Sequence, residues 1–262
     1  MIELEKAGLD RFQKIMKIAT PNPVYCEDSE KIVDAASKIA KFGYRRLPIL
    51  SRKKLVGVIT ISDILGAFLR KENFDDSISN IMTRDVIFCD ANETINYVLQ
   101  KFKISRRGGF PVLDRGELVG MVSERDFVKH FSDVQFGTRV EDVMTKKPFF
   151  IASNLSILDA FKSIVNTHYR RLPVVDNNIL AGIVTTIDFL RYIVKNNFNF
   201  STLDQGVEYI IIKDVFTITK EKDVSEAVKI MKSNNIGGLP VTDKNLKLEG
   251  IIAERDILEE IV

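Results

Sequence analysis

The chain has 262 residues, of which 45% are hydrophobic and 28% charged, and its formal net charge at pH 7 is +2. These values are typical of a globular protein with a real core, and the small net charge gives no support for a nucleic-acid or membrane partner. No apolar run approaches the roughly 18 residues of a membrane span, and the first residues lack the basic and then apolar pattern of a signal peptide. We therefore expect a cytoplasmic protein.

The first 71 residues predict a small unit of strands and helices. A helix is expected from Leu9 to Lys17, and a short strand from Val24 to Cys26. Asp28 or Ser29 is expected to cap the next helix, whose apolar residues recur at helical spacing. Two strands, LPIL and LVGVIT, and a helix from Ile61 to Arg70 follow. The predicted order is strand, helix, strand, strand, helix.

The same unit occurs four times. The four copies span about 10–71, 77–132, 139–196 and 207–262. Each copy has a Pro in its first long apolar run, a Gly nine or ten residues later, and an Asp six residues after that Gly. Such a match in four places defines an internal repeat, and here the repeat is the fold. We expect an α+β fold of four β-α-β-β-α repeats.

Two kinds of copy alternate along the chain. Copies one and three share YRRLP and end in Thr-x-x-Asp, whereas copies two and four share a Gly-Gly pair and end in ERD. The alternation predicts a two-copy unit that was itself duplicated, with copy one paired to copy two and copy three to copy four. The expected domains are residues 1–134 and 135–262.

The two cysteines occupy equivalent positions. Cys26 and Cys89 each lie 22 residues before the Pro of their copy, where the other copies have Ile151 and Ile218. A position shared by Cys and Ile is typical of a core, so packing is favoured over redox or metal chemistry. We expect no metal site.

A polar motif ends the second long strand of each copy and leads into a helix. The motifs are Thr60-x-x-Asp63, Ser123-x-x-Asp126, Thr185-x-x-Asp188 and Ala253-x-x-Asp256. One interpretation is a capping box, in which hydroxyl and carboxylate satisfy backbone N–H groups. The other is a ligand site, because a carboxylate beside a helix N-terminus can accept both hydroxyls of a ribose while the N–H groups suit a phosphate. Four occurrences, one without the hydroxyl, favour the ligand.

Basic residues accompany these motifs. Arg45, Arg46, Arg170 and Arg171 lie just before a strand, and Arg125 and Arg255 directly precede an Asp of the motif. Solvated surface charge is one interpretation. A phosphate clamp is the other, because the planar guanidinium pairs bidentately with oxyanions, and Arg125 and Arg255 are the weaker candidates for it.

The fourfold pattern resembles CBS domains, and the expected pairing resembles two Bateman modules in one chain. The resemblance runs from about residue 10 to 262 and includes the Gly-x-x-[Ser/Thr]-x-x-Asp ends, with IMT at 81–83 and DVMT at 142–145. It implies ligand clefts between paired repeats. An early Thr region would line an adenine pocket, and the [Ser/Thr]-x-x-Asp end would hold ribose and phosphate.

By this resemblance the ligand-binding candidates form three sets and a remainder. They are Thr20, Thr60 and Asp63; Thr83, Ser123 and Asp126; Thr145, Thr185 and Asp188; then Arg45, Arg46, Arg170 and Arg171, with Arg125, Arg255 and Asp256 as weaker members. Copy four departs from the pattern, since Ile212 replaces the early Thr and Ala253 the later one. We expect copy four to bind weakly.

The resemblance implies a regulatory protein that senses an adenosine-containing ligand, such as AMP, ADP, ATP or S-adenosylmethionine, and modulates a separate protein target. The alternative is a scaffold with vestigial sites, whose exposed helices form a homodimer or hold partners. RNA binding is less favoured, because the net charge is near zero and aromatic and basic residues do not interleave. An enzyme is least favoured, because the sequence presents no nucleophile–base or metal constellation, and no cofactor is expected beyond the regulatory ligand.

Overall fold

The computed structural model describes residues 2–261, and the chain forms two compact units, each assembled from pieces distant in sequence. The even unit comprises Met1–Pro23, Ile87–Pro148 and Phe216–Val262, and it holds most of copies two and four. The odd unit comprises Val24–Val86 and Phe149–Val215, and it holds most of copies one and three. The units therefore group copies of the same kind. The division into residues 1–134 and 135–262 stays a prediction about how the copies pair.

The helices and strands are numbered in chain order. The strands are β1 (Thr20–Pro21), β2 (Cys26–Glu27), β3 (Arg46–Ser51), β4 (Lys54–Thr60), β5 (Cys89–Asp90), β6 (Gly109–Asp114), β7 (Glu117–Ser123), β8 (Thr145–Lys146), β9 (Ile151–Ala152), β10 (Arg171–Asp176), β11 (Ile179–Thr185), β12 (Gly238–Thr242) and β13 (Leu248–Ala253). The α-helices are α1 (Ile2–Lys6), α2 (Ile32–Phe42), α3 (Ile61–Leu69), α4 (Ile95–Ser105), α5 (Glu124–Val128), α6 (Val140–Val143), α7 (Ile157–Thr167), α8 (Thr186–Lys195), α9 (Val224–Ser233) and α10 (Glu254–Ile261). Short 3-10 helices span Ile15–Lys17, Ile78–Asn80, Lys129–Phe131, Phe200–Asp204 and Val207–Tyr209.

Copies one to three follow the predicted order in full, and copy four follows it apart from its first strand, which confirms the α+β class with four repeats. In copy one β2 runs parallel to β3, and β3 is antiparallel to β4. Copies two and three repeat this arrangement with β5, β6 and β7 and with β9, β10 and β11. In copy four a single parallel bridge from Ile218 takes the place of the first strand beside β12. All four hairpins also carry a register shift just after the repeated Pro.

The first segment of each copy pairs with the sheet of a neighbouring copy. Strand β1 of copy one lies antiparallel to β7 of copy two, and Thr83 of copy two forms a bridge with Val58 of copy one. Copies three and four exchange their segments in the same way, through β8 on β13 and Ile212 on Ile183. This exchange is the connectivity expected if copy one pairs with copy two and copy three with copy four.

The exchanged segments explain why a glycine recurs in the second strand of every hairpin. A Cβ on Gly182 would lie 2.8 Å from the carbonyl oxygen of Ile212, and one on Gly120 would lie 3.2 Å from that of Thr20. At Gly57 and Gly250 the Sδ atom of a methionine in the incoming segment would be 2.5 Å away. A side chain at these positions would push the incoming backbone off the strand.

Each unit has its own apolar core, built mainly from one face of each small sheet and the helices above it. In the odd unit, Phe68 of copy one packs 6.0 Å, between ring centroids, from Phe161 of copy three. In the even unit, Phe102, Phe110 and Phe127 pack with ring centroids 4.6 and 5.6 Å apart. The core of the odd unit therefore joins two copies directly through aromatic side chains.

The start of the chain differs from the prediction of a helix from Leu9 to Lys17. The α-helix is Ile2–Lys6, and only Ile15–Lys17 is helical thereafter, as a 3-10 turn. The Asp10 carboxylate accepts a hydrogen bond from the Phe12 N–H at 2.9 Å, which makes a local turn in place of a helix. The Ile15 N–H then donates to the Glu93 carbonyl at 2.8 Å, so the chain is already bonded to copy two.

The beginning of copy one is also shifted from its predicted boundaries. The first strand is Cys26–Glu27, which starts two residues and ends one residue later than expected. Helix α2 starts at Ile32 with Lys31 as N-cap in place of Asp28 or Ser29. The Asp34 carboxylate accepts the Lys31 N–H at 3.2 Å, which supplies the cap from within the helix.

Both cysteines are expected to be unreactive in the folded protein. Cys26 and Cys89 are fully buried free thiols, and burial raises the pKa of each to about 12. The thiolate, which is the reactive form, is therefore scarce at neutral pH. Titration with a colorimetric thiol reagent should detect neither cysteine in native protein and both in denaturant. Rapid reaction of either thiol under native conditions would contradict the packing role.

Candidate functional site

The four polar motifs lie where a strand passes directly into a helix, and each such place is called a junction here. At every junction the Asp carboxylate accepts the backbone N–H of the last strand residue through Oδ2. The N–O distances are 2.8 Å for Thr60 with Asp63, 2.9 Å for Ser123 with Asp126, 2.9 Å for Thr185 with Asp188 and 2.7 Å for Ala253 with Asp256. The hydroxyls of the first three junctions donate to the same oxygen at 2.6–2.7 Å. All four carboxylates therefore cap a helix.

The junction of copy four shows that capping does not need the hydroxyl. Ala253 has no side-chain donor, yet its N–H reaches Asp256 at the shortest of the four distances, 2.7 Å. The presence of Asp256 in the copy that lacks the Thr or Ser therefore has a structural explanation that involves no ligand.

Asp188 combines a helix cap with a half-buried position. Both hydrogen bonds that its carboxylate accepts from described residues come from Thr185 and end on Oδ2. Burial raises the pKa of Asp188, although the bonds from Thr185 and the charge of Arg191 act in the opposite direction. A half-buried carboxylate with one oxygen committed to the cap is suited to accept further donors on the other oxygen.

The raised pKa of Asp188 predicts a pH dependence of stability. Folded Asp188 binds its proton more tightly than the unfolded chain does, so its contribution to stability falls as pH rises from the ordinary pKa of 3.8 through the raised value. Asp188→Asn should remove this decline, so that the variant gains stability relative to wild type across that window. Urea unfolding at a series of pH values from about 4 to 7 would measure it. A difference that stays constant or runs in the opposite direction would contradict the assignment.

The arginine pairs of copies one and three lie beside their junctions. Arg46 is the cross-strand partner of Thr60, and Arg171 is that of Thr185. The carbonyl of the preceding arginine accepts the first N–H of the helix, from Ile61 to Arg45 and from Thr186 to Arg170, at 3.1 Å in both cases. All four arginines are half-buried. The odd unit thus places two arginine pairs next to two helix N-termini.

In the even unit a glycine stands in the place of the second arginine. Gly109 is the cross-strand partner of Ser123, and Gly238 is that of Ala253. A Cβ on Gly109 would lie 2.9 Å from the Val122 carbonyl oxygen, so no larger side chain fits there without a shift of backbone. The two units therefore present different chemistry at equivalent junctions.

Arg125 and Arg255 contact glutamates of the opposite copy. Arg125 Nε lies 2.6 Å from Glu254, and Arg255 Nε lies 2.8 Å from Glu124. The glutamate side chains are only 3% and 2% exposed, whereas the arginines are 34% and 35% exposed. This arrangement of Glu124, Arg125, Glu254 and Arg255 is called the ion-pair quartet. The assignment of Arg125 and Arg255 to a phosphate stays a prediction, and the quartet gives both another partner.

The early Thr positions are placed by the segment exchange. Thr20 lies opposite Met121 on the strand that ends at Ser123, and Thr83 lies opposite Val58 on the strand that ends at Thr60. Thr145 lies opposite Ile251, on the strand that ends at Ala253. Each early Thr is therefore next to the strand that leads to a junction of the paired copy. The candidate sets in the sequence analysis group each early Thr with the [Ser/Thr]-x-x-Asp motif of its own copy, and the structure instead places it beside the motif of another copy.

Two basic residues near the junctions were missed by sequence reasoning. Lys129 Nζ lies 2.9 Å from Asp126 Oδ1, and Arg191 Nε donates to the Ala40 carbonyl at 3.2 Å, at the end of α2. Both residues lie three positions after the Asp of their junction, where copies one and four have Gly66 and Glu259. That spacing puts them on the same helix face as the Asp, which was a usable signal.

A small open cleft lies beside the ion-pair quartet in the even unit. It is lined by Phe102, Lys103, Arg106, Glu124, Arg255, Leu258 and Glu259. None of the four junction carboxylates lines it. Across residues 2–261, no helix has the length and apolar character needed to cross a bilayer, and no three His, Cys, Asp or Glu side chains gather as metal ligands would.

Comparison with known proteins matches the CBS domain family at residues 15–70, 78–133, 140–195 and 207–262. The chain is 28% identical over 277 residues to protein MJ1225 of Methanocaldococcus jannaschii, an alignment that covers 95% of this chain and 99% of MJ1225. The crystal structure of MJ1225, proposed to be an archaeal homologue of γ-AMPK, superposes with a TM-score of 0.87 at 27% identity and covers 95% of this chain and all of that one.

Two further solved structures are similar. A conserved protein from Pyrococcus horikoshii has a TM-score of 0.67 at 22% identity, over 95% of this chain and all of that one. The CBS domain pair of protein MJ0100, solved with 5′-methylthioadenosine and S-adenosyl-L-methionine, is 30% identical over 47% of this chain and 95% of its own, with a TM-score of 0.42. With four matched domains that together span residues 15–262, each folded as the repeat predicts, this chain belongs to the CBS-domain family.

Proposed function

We propose that this protein is a regulatory ligand-binding protein that senses an adenosine-containing ligand at its junctions and modulates a separate protein. The observation that carries the proposal is the odd-unit junction, where a half-buried carboxylate, a helix N-terminus and a cross-strand arginine lie together. At copy three these are Asp188, the first turn of α8, and Arg171. A carboxylate suits the ribose hydroxyls, and the arginine and helix N–H groups suit a phosphate.

The roles proposed for the other candidate ligand-binding residues follow from their positions at or beside the junctions. Thr60 with Asp63 and Ser123 with Asp126 are proposed to hold ribose in the same way, and the early residues Thr20, Thr83 and Thr145 to border the adenine. The similarity to MJ1225, proposed to be an archaeal homologue of γ-AMPK, supports an adenine nucleotide as the ligand. The ligand is proposed to be regulatory, with AMP, ADP, ATP and S-adenosylmethionine as its candidates.

Native mass spectrometry of freshly purified protein is the experiment that tests this function. A mass increment that matches an adenosine compound would identify the class of ligand and its number per chain. Titration calorimetry with AMP, ATP, adenosine and S-adenosylmethionine would then rank them. If none of these compounds is retained or bound, the proposed function is wrong.

A scaffold is the second candidate, and one observation favours it. All four Asp carboxylates already cap a helix, and Asp256 does so beside an alanine. If capping alone accounts for the motif, no adenosine ligand should bind, and the chain should instead form a homodimer or hold a protein partner. The same calorimetry, combined with size-exclusion chromatography and light scattering, separates the two.

A further inference from the structure

The two units differ in how their cations are used, and this difference bears on which ligand each would accept. In the odd unit, Arg46 and Arg171 stand directly across the hairpin from the capping Thr of a junction. In the even unit, the residues across from Ser123 and Ala253 are Gly109 and Gly238. Lys103 and Arg106 line the cleft beside the ion-pair quartet, and three further basic residues follow the even-unit junction strands, at Arg125, Lys129 and Arg255.

Each of these three cations is bound to a carboxylate. Lys129 pairs with Asp126 at 2.9 Å on the same helix. Arg125 and Arg255 pair with Glu254 and Glu124 at 2.6 and 2.8 Å, and these glutamates belong to the opposite copy. The charges of Arg125, Lys129 and Arg255 are therefore each balanced by a carboxylate of the same unit.

The two arginines are also held by a second contact each. Arg125 Nη1 donates to the Asn235 side chain at 3.0 Å, and Arg255 Nη2 donates to the Arg106 carbonyl at 2.6 Å. Within the described residues, every hydrogen bond of these two guanidinium groups goes to the opposite copy. The fork of each arginine is thus engaged on two sides, which leaves little of its donor capacity for a ligand.

Removing an arginine from the quartet would be costly to the protein. It would leave the carboxylate of Glu124 or Glu254, which is 2% or 3% exposed, without the cation beside it. A buried carboxylate that loses its cation is strongly destabilised, so a ligand phosphate competes poorly for Arg125 or Arg255.

We propose that Glu124 and Glu254 determine ligand specificity in the even unit, by withholding Arg125 and Arg255 from the ligand so that the junctions of copies two and four favour adenosine compounds without a phosphate. The inference rests on the proposed function, which supplies the adenosine ligand. By this inference the glutamates of the two ERD motifs, and not the arginines of those motifs, cause the two units to differ in ligand specificity.

The test compares AMP with adenosine in full-length protein. Asp63→Ala and Asp188→Ala are introduced together to silence the odd-unit junctions, and Glu124→Gln with Glu254→Gln are then added. Glutamine keeps the shape but loosens each arginine, so the affinity for AMP relative to adenosine should rise by about tenfold or more, the value of a charge-assisted hydrogen bond. Glu93→Gln in the same background is the matched control, because it breaks the Lys101–Glu93 pair of the same unit away from both junctions.

The outcomes separate this inference from the function on which it rests. If wild type binds neither AMP nor adenosine, the proposed function fails and the inference falls with it. If ligands bind but the AMP-to-adenosine ratio is unchanged in the Glu→Gln variant, or changes equally in Glu93→Gln, only the inference is wrong.

A second variant serves if loss of the glutamate charges unfolds the protein. Replacing all four quartet residues by methionine removes both ion pairs without leaving a buried charge. Because the arginines are not expected to touch ligand in the wild type, this variant should keep the wild-type ratio of AMP to adenosine affinity. A fall in AMP affinity alone, by about tenfold or more, would show that Arg125 or Arg255 contacts phosphate, and would overturn the inference.

Discussion

Asp188→Ala is expected to weaken the binding of an adenosine ligand by about ten- to 150-fold. The junction of copy three combines the arginine pair, Thr185 and Asp188, whereas the early Thr of that copy, Thr145, lies beside the strand that ends at Ala253. A hydrogen bond to a charged group contributes roughly 1.5–3 kcal/mol, which gives that range of affinity. Titration calorimetry on wild type and variant, with the same ligand at the same ionic strength, measures the effect.

Asp256→Ala is the matched control for this prediction. Asp256 caps its helix through the Ala253 N–H at 2.7 Å, as Asp188 caps through the Thr185 N–H at 2.9 Å, so both variants lose an equivalent structural bond. Loss of a cap costs about 0.5–2 kcal/mol in either case. Copy four has Ala253 in place of the Thr and Gly238 in place of the arginine across the hairpin, so Asp256→Ala should change ligand affinity much less.

Thermal unfolding gives an independent readout of the same pair. Ligand at about 100 times its dissociation constant should stabilise the fold by roughly 2.7 kcal/mol if unfolding is near two-state. The ligand-induced shift in Tm is the quantity to compare, because both variants start from a lowered value. A full shift in Asp188→Ala, with none in Asp256→Ala, would invert the ranking of the sites. No shift in any protein would favour the scaffold.

Arg125→Met is expected to lower the free energy of unfolding by about 3 kcal/mol. It leaves Glu254, 3% exposed, without its guanidinium partner, and breaking a buried pair costs roughly 3–5 kcal/mol. The lower end of that range applies because the Arg125 side chain is 34% exposed, so that solvent screens part of its interaction with Glu254. Urea unfolding of wild type and variant at neutral pH measures the loss.

The double variant Arg125→Met with Glu254→Met distinguishes a charge effect from a packing effect. Replacing both members of a buried pair by apolar residues is often neutral or stabilising, so the double variant should lie within about 1 kcal/mol of wild type. The losses of unfolding free energy in the single variants Arg125→Met and Glu254→Met would then be far from additive. Losses that add would mean that Arg125 and Glu254 act independently, and that the short distance between them contributes little to stability.

The repeat and the caps could be predicted from sequence because both are local. The Pro, Gly and Asp spacing fixed the order of strands and helices, and Thr60-x-x-Asp63 has the sequence of a capping box, which the structure contains. The helix predicted from Leu9 to Lys17 was wrong because the competing bond, from the Ile15 N–H to the Glu93 carbonyl, comes from residues far along the chain.

The partners of the site residues were not predictable for the same reason. Arg125 and Glu254 are 129 residues apart, and their contact depends on which copies share a unit. Sequence showed that copies two and four are alike, but likeness does not reveal contact. Thr20 poses the same problem, since its place beside the strand that ends at Ser123 follows from an exchange of segments that has no signature within a single copy.

The interleaved composition of the units has a consequence for synthesis of the protein on the ribosome. The even unit draws on Met1–Pro23, Ile87–Pro148 and Phe216–Val262, so its core cannot close until its last piece has left the exit tunnel. At ordinary translation rates of about 5–20 residues per second, copy two would wait several seconds with its partner helices missing. Nascent chains from which residue 215 has just left the exit tunnel should therefore hold all of the odd unit but only part of the even unit, and chaperone binding and misassembly should peak at that length.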